Sequence, residues 1–198
     1  LSIAPLTSAG TVDLDWLDAQ LKVGDVALVS VVAANSETGV LNPVKAISEL
    51  AHEAGASVHC DATQWVGRLP WSMEEFDVDA VSLSGHKMCG PQGVGALIAR
   101  RSLLRRMRPV ATGGGHEDGL RSGSYNVAGI VGLGVASVFA ADAADARRMA
   151  RLRDRLVERL SKVSGVTVNG ASSPRLPNTA NVLFEGAAGD AVLARTPG

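Results

Sequence analysis

The apolar run VALVSVVAA, at residues 26–34, is the feature that most constrains the fold of this chain. Its valines and alanines do not alternate regularly with polar residues, which predicts a strand covered on both faces, as in a parallel sheet. A helix is predicted to follow Pro43, because apolar residues recur at helical spacing from Val44 to Ala51 and Gly55 suits a C-terminal stop. A strand followed by a helix is typical of an α/β protein.

Three more strands are predicted, in ASVHCDATQ, VDAVSLSGHK and GVGALIAR. Ligands of open α/β sheets bind beyond the carboxyl ends of the strands. The polar residues that fall just past such ends are Asn35, Asp61, Gln64, Ser84, His86 and Lys87. We therefore predict an α/β fold with a mainly parallel sheet flanked by helices, and a ligand site at one edge of that sheet.

The second half of the chain has a different pattern. The glycine-rich segment 111–126 is predicted to be a functional loop, because plain connectors of this length are uncommon in compact domains. Residues 127–163 predict one long or kinked helical region, whose second half is expected to be a solvated amphipathic helix. The apolar stripe of that helix comprises Met149, Leu152, Leu156 and Leu160. GVTVNG and NTANVLFEG predict short strands, so we expect part of a large domain over 1–143 and the beginning of a small α+β domain over 144–198.

The composition narrows the class of protein. The 198 residues include 19 basic and 20 acidic side chains, a balance that gives no support for a nucleic-acid or membrane-surface partner. No apolar run of about 20 residues is present, so no transmembrane helix is expected. Two cysteines fit free thiols in a reducing cytosol, which predicts a cytoplasmic protein. Without a secretory signal or an initiator methionine, both ends are expected to be cuts in a longer protein.

Two residues at the predicted strand ends suggest a chemistry. Lys87, once partly desolvated at the mouth of a sheet, would be a nucleophilic amine that forms a Schiff base with an aldehyde, such as that of pyridoxal 5'-phosphate (PLP). Asp61 would pair with the protonated pyridine nitrogen of that cofactor. Taken alone, Lys87 also fits a surface turn, and Asp61 also fits a turn or a helix N-cap.

Other motifs give weaker indications. Ser84, His86 and Ser124 offer hydrogen-bond donors for a phosphate group. The sequence has neither a dinucleotide fingerprint nor a P-loop, and SLSGH lacks the first glycine of a hydrolase nucleophile elbow. No metal site is predicted, since His59 and Asp61 share a strand face without a third ligand.

The remaining histidines and cysteines are expected to be structural. We predict that His59 is packed or hydrogen-bonded and that His52 faces solvent. Cys60 and Cys89 are predicted to be small core residues rather than nucleophiles.

Four segments occur in the same order along the chain as the motifs of one enzyme family. They are ANSETGVLNPV, HCDATQWVGRLP, SLSGHKMCGPQGVGAL and GGGHEDGLRSGSYNV. Together they resemble the cysteine desulfurases of the NifS/IscS type, within the class V aminotransferase branch of the fold-type I PLP enzymes. The resemblance extends over most of the chain, from about residue 12 to residue 190. It implies a fold-type I large domain followed by a small domain, PLP as cofactor, and a homodimer with shared active sites.

The resemblance also implies roles for individual residues. Lys87 would bind PLP as a Schiff base and then move the α-proton of the substrate, L-cysteine. His86 accompanies Lys87 as a catalytic candidate, and Asp61 would hold the pyridinium N–H. These three positions match the family motifs in this sequence.

The other cofactor contacts are implied in the same way. Gln64 would hydrogen-bond the phenolic oxygen of PLP, and Asn35 would lie near that oxygen and the substrate carboxylate. Ser84 and His86 would hold the phosphate. Ser124, where the family has threonine, would reach the phosphate in the partner subunit.

The implied reaction converts L-cysteine to L-alanine and an enzyme persulfide, whose sulfur passes to an acceptor or scaffold protein, as in iron–sulfur cluster assembly. Neither Cys60 nor Cys89 matches the persulfide-forming cysteine of the family. The N-terminal phosphate loop, the stacking histidine and the arginine for the substrate carboxylate also have no match here, so the isolated chain is expected to be inactive, poorly soluble or a weak binder of PLP. A selenocysteine lyase, an aminotransferase and a non-catalytic truncated domain remain as alternatives.

Overall fold

A four-stranded sheet forms the centre of the computed structural model, which describes residues 1–140 and 143–196. The strands are β1 (Leu28–Val32), β2 (Ser57–Asp61), β3 (Ala80–Ser84) and β4 (Gly95–Ala99), and they lie in that order. The pairs β1–β2 and β2–β3 are parallel, whereas β3–β4 is antiparallel. With helices packed on the sheet, the predicted α/β class is confirmed.

Helices α1 (Leu14–Val23) and α2 (Val44–Glu53) pack together beside the sheet. The side chain of Asp13 caps α1 by accepting a hydrogen bond from the backbone N–H of Trp16 at 3.0 Å. Helix α2 begins directly after Pro43, as predicted, and its buried face is formed by Val44, Ile47, Ser48 and Ala51. The predicted helical spacing therefore marks the side that meets the sheet.

The core lies between these helices and the middle strands. Val58, Cys60 and Val81 are 0–1% exposed, and Ile47 of α2 is fully buried against them. Burying a side chain of this size contributes about 1.5–3 kcal/mol. Small β-branched residues thus hold together a sheet that has few aromatic side chains to fill its core.

The fourth strand is confirmed, and it runs antiparallel to its neighbour. The segment between β3 and β4 contains a 3₁₀ turn at Gly85–Met88 and too few residues for a crossover helix, so the chain turns straight back. At Gly95 an added Cβ would lie 2.6 Å from the carbonyl oxygen of Leu83, so only glycine fits where the hairpin closes.

Further helices follow β4 along the chain. They are α3 (Arg101–Leu104), α4 (Val127–Phe139), α5 (Ala143–Leu160) and α6 (Gly189–Ala194). The predicted helical region over 127–163 therefore consists of α4 and α5, and residues 141–142 between them lie outside the described residues. Three residues of the predicted stripe on α5 are exposed, Met149 at 42%, Leu152 at 54% and Leu156 at 50%, whereas Leu160 is half-buried. Arg153 and Val157 on the same helix are half-buried as well.

A two-stranded antiparallel sheet follows α5. Its strands are β5 (Val166–Val168) and β6 (Val182–Phe184), which confirms the two short strands predicted there. The domain boundary at 143/144 stays a prediction. In the described parts of the chain, each helix is too short or too polar to cross a membrane.

Candidate functional site

The carboxyl ends of β1, β2 and β3 meet at one edge of the sheet. Val32 pairs with Asp61, and Asp61 pairs with Ser82, so the three strands end at nearly the same level. The ladder continues past the strands, where the N–H of Ala33 donates to the carbonyl of Asp61 at 2.8 Å and the N–H of Ala62 donates to that of Ser82 at 3.0 Å. This register fixes the loops that leave the three strands next to one another.

A cleft of about 290 Å³ opens between the ends of β1 and β2. Its lining residues are Val32, Ala34, Asn35, Ser36, Asp61, Thr63 and Gln64. Three of the predicted site residues, Asn35, Asp61 and Gln64, are therefore brought together. The prediction missed Ser36 and Thr63, although extending the strand-end rule by one or two residues along the chain would have found both.

Asn35 holds its own turn through one end of its amide. Its Oδ1 atom accepts hydrogen bonds from the backbone N–H groups of Glu37 and Thr38, each at 2.9 Å. The N–H of Asn35 itself donates to the carbonyl of Val40 at 2.9 Å, closing the turn from the other side. The amide oxygen is thus used structurally, and the Nδ2 group is the end that can donate to a ligand in the cleft.

Asp61 divides its carboxylate in a similar way. Its Oδ1 atom accepts from the N–H of Thr63 at 2.9 Å, which is the turn contact that the DATQ segment suggested. The second oxygen, Oδ2, adds an acceptor to the cleft wall. The negative charge also acts on Cys60, the preceding residue, where burial, and secondarily Asp61, raises the pKa of the thiol to about 12.

Ser84, His86 and Lys87 form a second group on the same edge, past the end of β3. Ser84 Oγ and His86 Nδ1 are 2.8 Å apart and hydrogen-bonded, and Lys87 is half-buried in the 3₁₀ turn Gly85–Met88. These residues lie beside the cleft rather than in its wall. A ligand that touches both groups would span the ends of β2 and β3.

Ser124 lies elsewhere, in the predicted glycine-rich loop. Its side chain is exposed, and the loop is ordered locally by Tyr125, whose hydroxyl accepts from the N–H of Glu117 at 3.1 Å. The ring of Tyr125 also meets that of His116 edge-on, with centroids 5.3 Å apart. The loop therefore presents Ser124 outward instead of into the cleft of the same chain.

His59, on β2, is hydrogen-bonded as predicted. Its Nδ1 atom is 2.9 Å from Ser30 Oγ, and its Nε2 atom is 3.2 Å from Ser82 Oγ. Both ring nitrogens are thus engaged by serine hydroxyls of the neighbouring strands. Among the described residues there is also no group of three or more His, Cys, Asp or Glu side chains that could hold a metal ion.

The predictions for His52 and Cys89 are wrong. His52 does not face solvent freely, because Asp77 Oδ2 lies 3.3 Å from its Nδ1 and Asp79 Oδ2 lies 2.9 Å from its Nε2. Cys89 is exposed instead of buried, because it ends the 3₁₀ turn in the left-handed conformation, at φ 63°. Cys60 is fully buried, as predicted.

Comparisons with known proteins identify the family of this chain. The model of the family described as aminotransferase class-V matches residues 1–195. The chain belongs to the class-V aminotransferase family. Within this family, the chain is 46% identical over 170 residues to a cysteine desulfurase of Gluconacetobacter diazotrophicus, which covers 84% of the chain and 42% of that protein. It is 42% identical over 191 residues to a cysteine desulfurase of Nostoc sp., covering 95% of the chain and 47% of the relative.

Solved structures share the fold of this chain. A NifS-like protein from Rickettsia africae superposes with a TM-score of 0.89 at 31% identity, over 96% of this chain and 54% of that one. A structure described as SspA in complex with cysteine superposes with a TM-score of 0.77 at 26% identity, over 100% of this chain and 59% of that one. The class-V chain described here thus spans about half the length of the curated relatives it matches.

Proposed function

We propose that this class-V chain provides the PLP-binding centre of a cysteine desulfurase, an enzyme that takes sulfur from L-cysteine. The proposal rests on one observation, which is that a hydrogen-bond acceptor and a hydrogen-bond donor line the same cleft. Asp61 offers a carboxylate acceptor and Asn35 an amide donor, one strand away from the amine of Lys87. The cysteine desulfurases among its relatives support the same conclusion.

The residues fit PLP by the chemistry of their free atoms. A protonated pyridine nitrogen needs an acceptor, which Asp61 Oδ2 supplies, and a phenolic oxygen needs donors, which Asn35 and Gln64 supply. The hydrogen-bonded pair Ser84 and His86 offers donors to the phosphate. These two groups of residues follow the ends of adjacent strands, so one flat ring with a phosphate arm can reach both.

When bound, PLP supplies an electron sink for the bond that is broken at the substrate α-carbon. Lys87 holds the cofactor and moves the α-proton through its Nζ atom. Asp61 would accept a hydrogen bond from the pyridinium N–H and so maintain the charge of the ring, while Asn35 and Gln64 would donate to its phenolic oxygen. His86 lies in the same 3₁₀ turn as Lys87, and we propose it as the second catalytic residue.

An enzyme cysteine thiolate would attack the sulfur of L-cysteine, so that the S–S bond of the persulfide forms as the substrate Cβ–S bond breaks, and Cβ then takes up a proton to give L-alanine. Cys60 does not serve as that thiolate, because it is fully buried and its pKa is raised to about 12 by burial and by Asp61. The outer sulfur atom of this persulfide then passes to an acceptor or scaffold protein, as in iron–sulfur cluster assembly. We place this exchange in the cytoplasm, where thiols stay reduced.

We further propose a homodimer in which the exposed Ser124 reaches the phosphate of the partner's site. Helix α4 supports a protein interface near this loop, since Val131, Val138 and Phe139 are 61%, 74% and 77% exposed. Apolar side chains grouped in this way on one helix mark surfaces that another protein element covers. Neither a nucleic acid nor a membrane is proposed as a partner.

The assignment of Lys87 is tested by titrating the full-length protein that carries this chain with PLP and recording the absorbance band near the visible edge. Lys87→Ala is expected to abolish the band of bound cofactor. Lys45→Ala is the matched control, since Lys45 is exposed on α2 and paired with Glu49 at 3.5 Å. A band that survives Lys87→Ala contradicts the assignment.

The substrate is tested separately in the protein that carries this chain. Release of L-alanine from L-cysteine is expected. Release from L-selenocysteine alone, or transamination without sulfur release, would replace the desulfurase by a selenocysteine lyase or an aminotransferase. The neighbour described as a complex with cysteine supports L-cysteine as the amino acid.

A further inference from the structure

The turn that carries Asn35 is held from outside by a distant part of the chain, residues 174–181. The N–H of Leu41 donates to the carbonyl of Pro174 at 2.9 Å, and the N–H of Leu176 donates to the carbonyl of Gly39 at 2.8 Å. Val40 and Arg175 form the antiparallel bridge between these two bonds. The end of the turn is therefore paired like a short piece of sheet, with a partner more than a hundred residues later in the sequence.

The segment 174–181 also packs tightly against the turn that carries Asn35. Leu176 is 1% exposed and belongs to the main core, which anchors the distant segment. Gly39 has φ +74°, and an added Cβ there would lie 2.7 Å from Thr179 Cβ. Thr179 thus lies directly against the backbone of the Asn35 turn, so the two segments are in van der Waals contact as well as hydrogen-bonded.

One side chain of the segment reaches the middle of the turn. The Nδ2 group of Asn181 donates to the carbonyl of Glu37 at 3.3 Å. Its Oδ1 atom accepts from Asn169 Nδ2 at 2.7 Å, which fixes which end of the Asn181 amide faces the turn. The backbone N–H of Asn169 also donates to the carbonyl of Asn181, at 2.9 Å, at the end of the β5–β6 hairpin.

These contacts form a continuous series of amide hydrogen bonds that ends in the cleft. Asn169 donates to Asn181, Asn181 donates to the carbonyl of Glu37, and the N–H of Thr38, in the same peptide group as that carbonyl, donates to Asn35 Oδ1 at 2.9 Å. Amide hydrogen bonds in series polarise one another and strengthen. The orientation of Asn181 is therefore linked to the orientation of the Asn35 amide, whose other end faces the cleft.

We propose that Asn181 is a positioning residue, which fixes the Asn35 turn and thereby aims the Asn35 amide into the cleft. The part that concerns PLP rests on the function proposed above, whereas the part that concerns the turn stands on these contacts alone. Asn181 acts through the Glu37–Thr38 peptide group and through Asn35.

Asn181→Asp is the sharpest test, because it keeps the shape and the Oδ1 acceptor for Asn169 and replaces only the donor that faces the Glu37 carbonyl. Asn178→Asp is the matched control. Asn178 lies three residues away, is exposed, and uses only its oxygen, which accepts from Thr179 Oγ1 at 3.5 Å. Both variants add the same charge to the same segment, so an electrostatic effect of the segment as a whole cancels between them.

The first measurement is amide hydrogen exchange by NMR on the chain without cofactor. Loss of one net hydrogen bond is expected to speed exchange of the Glu37 and Thr38 amides about five- to tenfold in Asn181→Asp. The core strand β2 serves as the internal reference and should keep its protection. Exchange of Glu37 and Thr38 that is unchanged in Asn181→Asp, or equally changed in Asn178→Asp, overturns the inference.

The second measurement is PLP affinity, together with the pH at which the cofactor band titrates. Asn181→Asp is expected to weaken affinity about fivefold and to shift that titration, but to do neither when Asn35→Ala is already present. Additive effects of the two substitutions would overturn the positioning role. The affinity is measured in the full-length protein that carries this chain; if that unsubstituted protein binds no PLP, the proposed function fails and the exchange result alone decides the inference.

Discussion

Asp79 joins three elements at the end of the sheet opposite the cleft. Its Oδ2 atom accepts from the backbone N–H of Val58 at 2.8 Å and lies 2.9 Å from His52 Nε2, while Arg100 Nε lies 3.8 Å from Oδ1. The side chain of Asp79 is only 17% exposed. We predict that Asp79→Ala lowers the free energy of unfolding by about 3 kcal/mol.

The magnitude follows from the contacts that are lost. A hydrogen bond to a charged group contributes about 1.5–3 kcal/mol, and Asp79 accepts one from Val58 and one from His52. The Val58 N–H would be left buried without an acceptor, whereas His52 would keep its contact with Asp77 at 3.3 Å. One full loss and one partial loss give the total of about 3 kcal/mol.

The loss of stability caused by Asp79→Ala depends on pH, and the lowered pKa of Asp79 gives the direction. Burial alone would raise the pKa of Asp79, but hydrogen bonds from His52 and Val58, with the charges of His52 and Arg100, lower it below its ordinary value. A carboxyl whose pKa is lowered by folding stabilises the folded state above its unfolded pKa, about 3.9, and loses that contribution as pH falls through the folded pKa. The cost of Asp79→Ala is therefore expected in full near pH 7 and reduced below about pH 4.

Urea unfolding followed by circular dichroism, at pH 7 and at pH 3, measures both quantities. Asp18→Ala is the control, since Asp18 forms an exposed i,i+4 pair with Lys22 on α1 that is expected to contribute less than about 0.5 kcal/mol. A cost of Asp79→Ala below about 1 kcal/mol at pH 7, or a cost that is the same at both pH values, would refute the reasoning.

Three further predictions follow from side-chain exposure and local packing. A thiol reagent at pH 8 should label Cys89 quickly and Cys60 only on unfolding, because burial raises the pKa of Cys60 to about 12; two thiols reacting at one rate would contradict this. Gly95→Ala should lower the free energy of unfolding by about 1–3 kcal/mol, measured in urea, because its Cβ would lie 2.6 Å from a carbonyl oxygen of the adjacent strand. Replacing Leu152 and Leu156, which are 54% and 50% exposed, by lysine should reduce self-association in sedimentation velocity, and an unchanged distribution would show that this stripe is not a contact surface.

Much of the fold follows from local sequence patterns. The apolar run that contains β1 and the helical spacing after Pro43 predicted the first strand and α2, because burial on two faces or on one stripe leaves a direct trace in the sequence. The strand-end rule likewise found Asn35, Asp61 and Gln64, which line one cleft. The carboxyl ends of parallel strands lie at the same edge of the sheet, so the positions of the strands in the sequence were enough to find these residues.

Contacts between distant segments left no such trace. His52 was predicted to face solvent because its position on α2 does not reveal that Asp77 and Asp79 are folded against it. Cys89 was predicted to be buried because cysteine is usually a small core residue, and the sequence did not show that it would end the turn after Lys87 in the left-handed conformation. The hydrogen bond from Asn181 to the Glu37 carbonyl joins residues 144 positions apart, so neither periodicity nor a motif predicts it.

At Asn35 and Asp61 the two polar side-chain atoms have different tasks, which limits how these positions can vary among related proteins. Each side chain closes its own turn with one oxygen and presents its second polar atom to the cleft. Aspartate at 35 would preserve the turn and invert the hydrogen-bonding sense of the ligand contact, and asparagine at 61 would do the same in the opposite direction. Each position therefore accepts one substitution that separates folding from recognition, whereas a longer or apolar side chain removes both at once.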